Sequence, residues 1–297
     1  MSTIENKIDF AVILSVKNAN PNGDPLNGNR PRENYDGHGE ISDVCLKRKI
    51  RNRMQDLGEA VFVQSDDRSN DSCKSLKDRA DSCKSLKDRA DSCKPLAEAI
   101  KKKNTELAVK TACEEWIDVR SFGQLFAFKG SDASIGIRGP VSLHPAFSVD
   151  TVDISSIQIT KSVNSTTGEK KSSDTMGMKH RVDFGLYVFY GSVNCQLAEK
   201  TGFSDADAEV LKKALCTLFE NDASSARPEG SMEVCRVVWW RHNNKSGQYS
   251  SAKVHGCVHV TPKSPSPQSF ADYEVVIDDL EGLSAEIIED PENAFRN

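Results

Sequence analysis

No apolar run in this chain approaches the roughly 18 residues that a membrane-crossing helix needs. The first residues, Met1-Ser-Thr-Ile-Glu5, lack the basic-then-apolar order of a secretory leader. We therefore expect a cytoplasmic protein with no membrane partner. The nine cysteines are an odd number and contain no C-x-x-C pair, which argues against a disulfide framework or a zinc site. Most of them read as small buried hydrophobes. The signatures H-E-x-x-H, G-x-S-x-G and G-x-x-x-x-G-K-[ST] are all missing, so the sequence offers no metal or cofactor site and no evident catalytic centre.

A large basic excess is missing too. The formal net charge is −5, which at first speaks against nucleic acid. Distribution changes that reading. Residues 274–297 hold eight acidic side chains and one basic one, and without them the rest of the chain is at about +2. The positive charge then falls in a few short stretches.

Residues 8–16 alternate as a strand with one strongly apolar face. A loop of turn formers follows, Asn18-Ala-Asn-Pro-Asn-Gly-Asp-Pro25 and Asn27-Gly-Asn-Arg-Pro-Arg32. Ser42 or Asp43 then caps a helix with its stripe at Leu46, Ile50, Met54 and Leu57. Residues 71–80 recur at 81–90, and a third copy starts at Asp91; this reads as a duplicated surface insertion rather than a solenoid. A helix over about 97–116 is expected next, then strands at 154–163 and 182–190. A helix opens at Ser204 with Asp207 completing a capping box. Strands at 234–240 and near 273–277 precede an acidic tail. The order suggests an α+β fold, a βαββαβ ferredoxin-like arrangement of the kind found in RNA-recognition motifs.

Four places offer binding chemistry. Lys47-Arg48-Lys49 with Arg51 and Arg53 puts cations four apart on one helix, either to grip consecutive phosphates or as a solvated face. The amides of Asn18, Asn20, Asn22, Asn27 and Asn29 suit phosphate oxygens and ribose hydroxyls, or simply form a surface loop. Met176-Gly-Met-Lys179-His180-Arg181 sets flexible apolar side chains beside three potential cations. In the strand that follows, Tyr187 and Phe189 could stack on bases or belong to the core. A rival reading is a metal-independent endoribonuclease with His38 or His180 as base. Another is a scaffold that binds no RNA.

Several longer strings together resemble one family. They are Asn20-Pro-Asn-Gly-Asp-Pro25, Asp43-Val-Cys-Leu-Lys-Arg-Lys-Ile-Arg-Asn52, Asp118-Val-Arg-Ser-Phe-Gly123, Arg138-Gly-Pro140, Met176-Gly-Met-Lys-His180, the stretch 197–205 and Ser269-Phe-Ala-Asp-Tyr273. The sequence resembles the backbone subunit of the type I-C CRISPR interference complex, Cascade (Cas-seven superfamily, Csd-two branch). That resemblance implies a non-catalytic protein whose copies stack head to tail along a CRISPR guide RNA, beside other Cascade subunits, leaving bases free to pair with target DNA. It implies an RNA-recognition-motif-like palm split between 1–60 and 182–277 and a helical insertion at 61–117 with the repeat at 71–96. It further implies more palm and insertion at 118–163, a protruding thumb hairpin at 164–181, and the tail at 278–297. The RNA-facing set is then Asn18, Asn20, Asn22 and Arg30 of the loop and Lys47, Arg48, Lys49 and Arg51 of the helix. Arg120, Phe122 and Arg138 join it, with Lys161, Met176, Lys179, His180 and Arg181 around the thumb. The tandem repeat and the acidic tail depart from the family pattern.

Overall fold

The computed structural model describes residues 2–81, 96, 104–127, 134–160 and 176–295. The alternation that begins at Ile8 builds the central strand, β1 (Ile8–Ala19), which buries Phe10, Val12, Leu14 and Val16 on one face. Its other face is buried too, through Ala11 and Ile13, so the sheet is covered on both sides. A short hairpin of β2 (Gly23–Asp24) and β3 (Arg30–Pro31) leads to β4 (His38–Ile41). The helix α1 (Asp43–Asp56) starts at Ser42, whose hydroxyl accepts the Cys45 amide, and packs Leu46, Ile50 and Met54 on the sheet.

An insertion with its own core follows. It holds α2 (Leu76–Asp81), α3 (Thr105–Glu115), α4 (Ile117–Phe122) and the hairpin of β5 (Gly123–Phe126) with β6 (Ile135–Arg138). The Phe62 ring lies 4.6 Å from Trp116 and 5.1 Å from Phe126, and these three rings anchor that core. The helix expected from about 97 is seen from Thr105; the repeat beyond Asp81, Leu96 apart, lies outside the described residues.

β7 (Val141–Leu143), β8 (Ala146–Thr151) and β9 (Ile154–Thr160) all pair antiparallel with the long β10 (Met176–Val193), at successive places along it. Two helices, α5 (Cys195–Thr201) and α6 (Asp205–Cys216), return the chain to β11 (Met232–Arg241). The capping box expected at Ser204 and Asp207 is present at the start of α6, which buries Leu211 and Leu215 beside α1. Then come α7 (Ser251–His255) and a second sheet of β12 (Val258–Pro262) with β13 (Tyr273–Ile277), which packs on the face of Ile13, Leu186 and Trp240. The chain next forms β14 (Ala285–Ile288) and α8 (Pro291–Ala294). The main sheet runs β14–β11–β1–β10–β8–β4, with neighbours antiparallel. Two strand–helix–strand units interlock in it. β1 and β8 flank β10, while β10 and β11 flank β1.

Three expectations need correction. The strand expected at 154–163 is present as β9 over its described part, Ile154–Thr160, but the strand that follows α1 on the main path of the sheet is β8. β9 continues past the sheet, and Ile157 and Ile159, which imitate a core pattern, are exposed. The strand near 273–277 is not the last one, because β14 adds to the edge of β11 and Leu283 is buried. The acidic segment is thus folded through residue 295 instead of forming a tail. His255 closes α7. No helix among the described residues is long and apolar enough to cross a membrane.

Candidate nucleic-acid interface

The Asn-rich loop holds itself together with the groups that make it attractive to RNA. Asn18 and Asn29 occupy left-handed backbone conformations, φ 55° and 59°, which asparagine tolerates better than most residues. Asn20 is buried, and its Nδ2 donates to the Asn29 carbonyl at 2.6 Å. Asn22 Oδ1 accepts both the amide and the hydroxyl of Ser42 at 2.9 Å, which fastens the loop to the start of α1. Arg32 pairs with Asp24 at 3.3 Å. Asn18 is exposed, and the Arg30 side chain crosses to the ribbon described next.

Beyond Val182 towards its N-terminus, β10 pairs only with β9 and the two form a ribbon. Ser156 stands opposite His180, Gln158 opposite Met178 and Thr160 opposite Met176. Strand alternation sends Met176, Met178 and His180 to one face, and Lys179 and Arg181 to the other with Ile157 and Ile159. Met176 and Met178 are 57% and 53% exposed. On the methionine face, Arg30 Nη1 donates to Ser156 Oγ at 3.2 Å, and Ser156 Oγ lies 2.8 Å from His180 Nδ1. On the opposite face Arg181 pairs with Asp183 at 3.5 Å, while Lys179 has no acidic partner among the described residues. The ribbon spans residues 154–160 and 176–182, and of the thumb expected at 164–181 only 176–181 is among the described residues. Lys161 and the rest of 161–175 lie outside the described residues.

The basic helix departs from its expected role. Lys47 pairs with Asp43 at 2.9 Å. Arg48 donates to the Val63 carbonyl at 2.6 Å, and burial lowers its pKa. Lys49 is 4% exposed and ion-paired with Asp222; burial pulls its pKa down, and the Asp222 carboxylate opposes that shift. Arg51 donates from Nε to the fully buried Asp118 at 2.9 Å, with its guanidinium 5.0 Å over the Phe122 ring. Arg120 makes a two-pronged bond to Asp207, 3.1 and 2.7 Å. Lys49, Arg51 and Arg120 therefore hold the insertion, α1 and α6 together and do not project as a phosphate-gripping row. The physical reason is that α1 is packed on several sides, so its cations meet acidic neighbours before they meet solvent. Arg138 stays exposed on β6, without an acidic partner among the described residues.

The two histidines of the ribonuclease reading take separate partners. His38 Nδ1 lies 2.9 Å from the Ser148 carbonyl, and His180 faces Ser156. Among the described residues no cluster of three or more His, Cys, Asp or Glu side chains is placed to hold a metal ion.

The family model for CRISPR-associated protein Cas7 matches residues 6–278. The chain belongs to the Cas7 family. Among curated relatives, the CRISPR-associated protein Cas7 of Haloferax volcanii is 29% identical over 243 residues, spanning 76% of this chain and 67% of its own. Two solved chains also align. One, from a CRISPR RNA-guided surveillance complex, pre-nicking, has a TM-score of 0.48 at 18% identity and covers 82% of this chain and 83% of that one. The other, from a CRISPR RNA-guided surveillance complex, has a TM-score of 0.42 at 16% identity, with 79% and 68% covered. The family match encloses the loop, α1 and the described ribbon, and it ends where the acidic segment begins. Within this Cas7-family chain, sequence reasoning passed over Ser156. Nothing marks that serine until the ribbon register sets it between Arg30 and His180.

Proposed function

We propose that this Cas7-family chain is a non-catalytic backbone subunit that grips a CRISPR guide RNA through phosphate and ribose, in a complex of type I-C. The family match over residues 6–278 carries the reading. The long strings around Asn20, Asp43 and Met176 support the subtype. The interlocked β1–α1–β8 and β10–α6–β11 units support a ferredoxin-like, RNA-recognition-motif-like palm. The β9–β10 ribbon is the base of the thumb. Its methionine face, with His180 and the neighbouring Arg30 and Asn18, offers apolar surface beside donors, while Lys179 and Arg138 supply exposed cations. Such a surface holds a strand whatever its sequence, as a guide must be held if its bases are to pair with target DNA. Further copies stack head to tail, a heterologous contact that grows a filament along the RNA.

The test is co-expression with a CRISPR array and the partner subunits, followed by size-exclusion chromatography read at 260 and 280 nm. The expected product is a large particle containing RNA of discrete length. A nucleic-acid-free monomer from that co-expression would overturn the proposal.

A further inference from the structure

A two-stranded ribbon that has left its sheet has little to fix its direction, since an isolated hairpin is marginal in water. Here β9 and the first residues of β10 pair only with each other between residues 154–160 and 176–182. At the root of the ribbon, Ser155 Oγ donates to Asp183 Oδ2 at 2.8 Å, and the Asp183 amide donates to the Asp153 carbonyl at 3.0 Å. Those bonds secure where the ribbon begins. Among the described residues, the side-chain bond that ties the ribbon to the Asn-rich loop is the one from Arg30 to Ser156.

Arg30 sits on a base well suited to act as an anchor. Its strand β3 pairs with β2, and the adjacent Asn29 carbonyl is held by Asn20. The Arg32 amide donates to the Asn22 carbonyl at 3.0 Å, and the Arg32 carbonyl accepts the Glu40 amide at 2.9 Å. Asn22 is in turn fixed to Ser42 at the head of α1. A methyl group at Gly23 would crowd the Asn29 carbonyl and the Asn20 side chain, which shows how closely the loop is folded. The guanidinium of Arg30 therefore extends from a rigid hairpin. Because it can only donate, the Ser156 hydroxyl accepts from it and keeps its own O–H to donate to His180 Nδ1. One serine thus joins both strands of the ribbon to the loop, on the face that carries Met176 and Met178.

We propose that Ser156 is a positioning residue: the chain Arg30–Ser156–His180 is a brace that sets the angle of the methionine face relative to the Asn-rich loop, and so the spacing of the two surfaces between which the RNA strand is gripped. This inference rests on the RNA-binding reading above. Ser156 itself touches no phosphate, and that separates it from Lys179.

The experiment measures the affinity of the full-length protein for a fluorescein-labelled guide RNA by anisotropy, across a salt series, for wild type, Ser156→Ala, Ser156→Thr and Lys179→Ala. Loss of one bridging hydroxyl should weaken binding of Ser156→Ala roughly 3- to 10-fold. Its log–log salt slope should match wild type, because no phosphate contact is lost. Ser156→Thr, which keeps the hydroxyl on a strand-favouring residue, should restore affinity to within about twofold. Lys179→Ala should flatten the slope by about 0.7. Wild-type affinity in Ser156→Ala, failure of threonine to rescue, or a flattened slope in Ser156→Ala would each overturn the brace and leave the RNA-binding reading standing. A wild-type chain that binds no guide RNA at low salt would remove both.

Discussion

Arg51 is where the sequence and structural readings make opposite predictions about one mutation. On the basic helix it reads as a phosphate ligand, yet the structure sets its Nε 2.9 Å from Asp118 Oδ2. Asp118 is fully buried and also accepts the amides of Phe62 at 2.7 Å and Val63 at 3.1 Å. In Arg51→Ala a buried carboxylate loses its counter-ion and keeps two backbone donors. Breaking a buried pair by removing one partner costs about 3–5 kcal/mol, and the two remaining donors argue for the lower end, about 3 kcal/mol. With a urea dependence of roughly 3 kcal/mol per molar, the unfolding midpoint should fall by about 1 M at unchanged slope. Asp118→Ala should cost more, about 4 kcal/mol or above, because it orphans two amides as well as a guanidinium. The salt slope of RNA binding by folded Arg51→Ala should equal that of wild type. An unchanged urea midpoint together with a slope flattened by about 0.7 would refute the structural assignment and return Arg51 to the RNA.

Gly39→Ala should destabilise by about 1–3 kcal/mol, since the new methyl would overlap the hydroxyl of buried Tyr187, which reaches β4 from β10; a melting temperature equal to wild type would contradict that packing. His255 supplies the pH dependence. Burial holds its pKa below the ordinary histidine value, against the pull of Asp9, and its Nε2 lies 3.1 Å from the Gly191 carbonyl. The folded state therefore takes up a proton less readily than the unfolded chain, so this contribution to stability is present above about pH 6.5 and is lost as pH falls below it. Urea midpoints at pH 7.5 and 5.5 should show the drop in wild type and a smaller one in His255→Gln; an equal drop in both would exclude His255 as the cause.

How legible the fold was depended on whether its elements carry their own signals. The stripe of α1, the capping box at Ser204 and Asp207, and the strands around Val12, Val188 and Val237 follow from local periodicity and capping, and all are present. β8 was missed because Ala146-Phe-Ser-Val-Asp-Thr151 is short and half polar; only its pairing with Tyr187 and Val188 makes it a sheet strand. β9 was legible as a strand from its isoleucines at 154, 157 and 159, but not as a ribbon strand on which Ile157 and Ile159 stay exposed. Alternation says which side chains share a face, but not whether anything covers that face. The acidic segment looked like a tail because Glu286, Glu289 and Asp290 dominate it. Yet Lys212 meets Glu286 at 2.9 Å and Arg236 meets Glu289 at 3.2 Å, so part of its charge is matched by the strand edge it joins.

For the proposed binding surface, the sequence indicates which stretches carry suitable residue types but not how their polar groups are used. Residue types alone point to the Asn-rich loop and to Met176–Arg181, and the structure joins these two stretches through Arg30, Ser156 and His180. What residue types do not reveal is which polar groups are already satisfied. Asn20, Asn22, Lys49, Arg51 and Arg120 have the right chemistry for RNA, and each meets a protein partner whose position depends on contacts distant in sequence. A cation satisfied inside the fold adds nothing to counter-ion release, whereas one held without a partner adds in full. In the proposed RNA-binding role, Lys179 and Arg138, which are exposed and without an acidic partner among the described residues, therefore matter more than the denser basic run of α1. Charge density in a sequence measures how many ion pairs a surface can form, and the fold decides how many of them are left for a ligand.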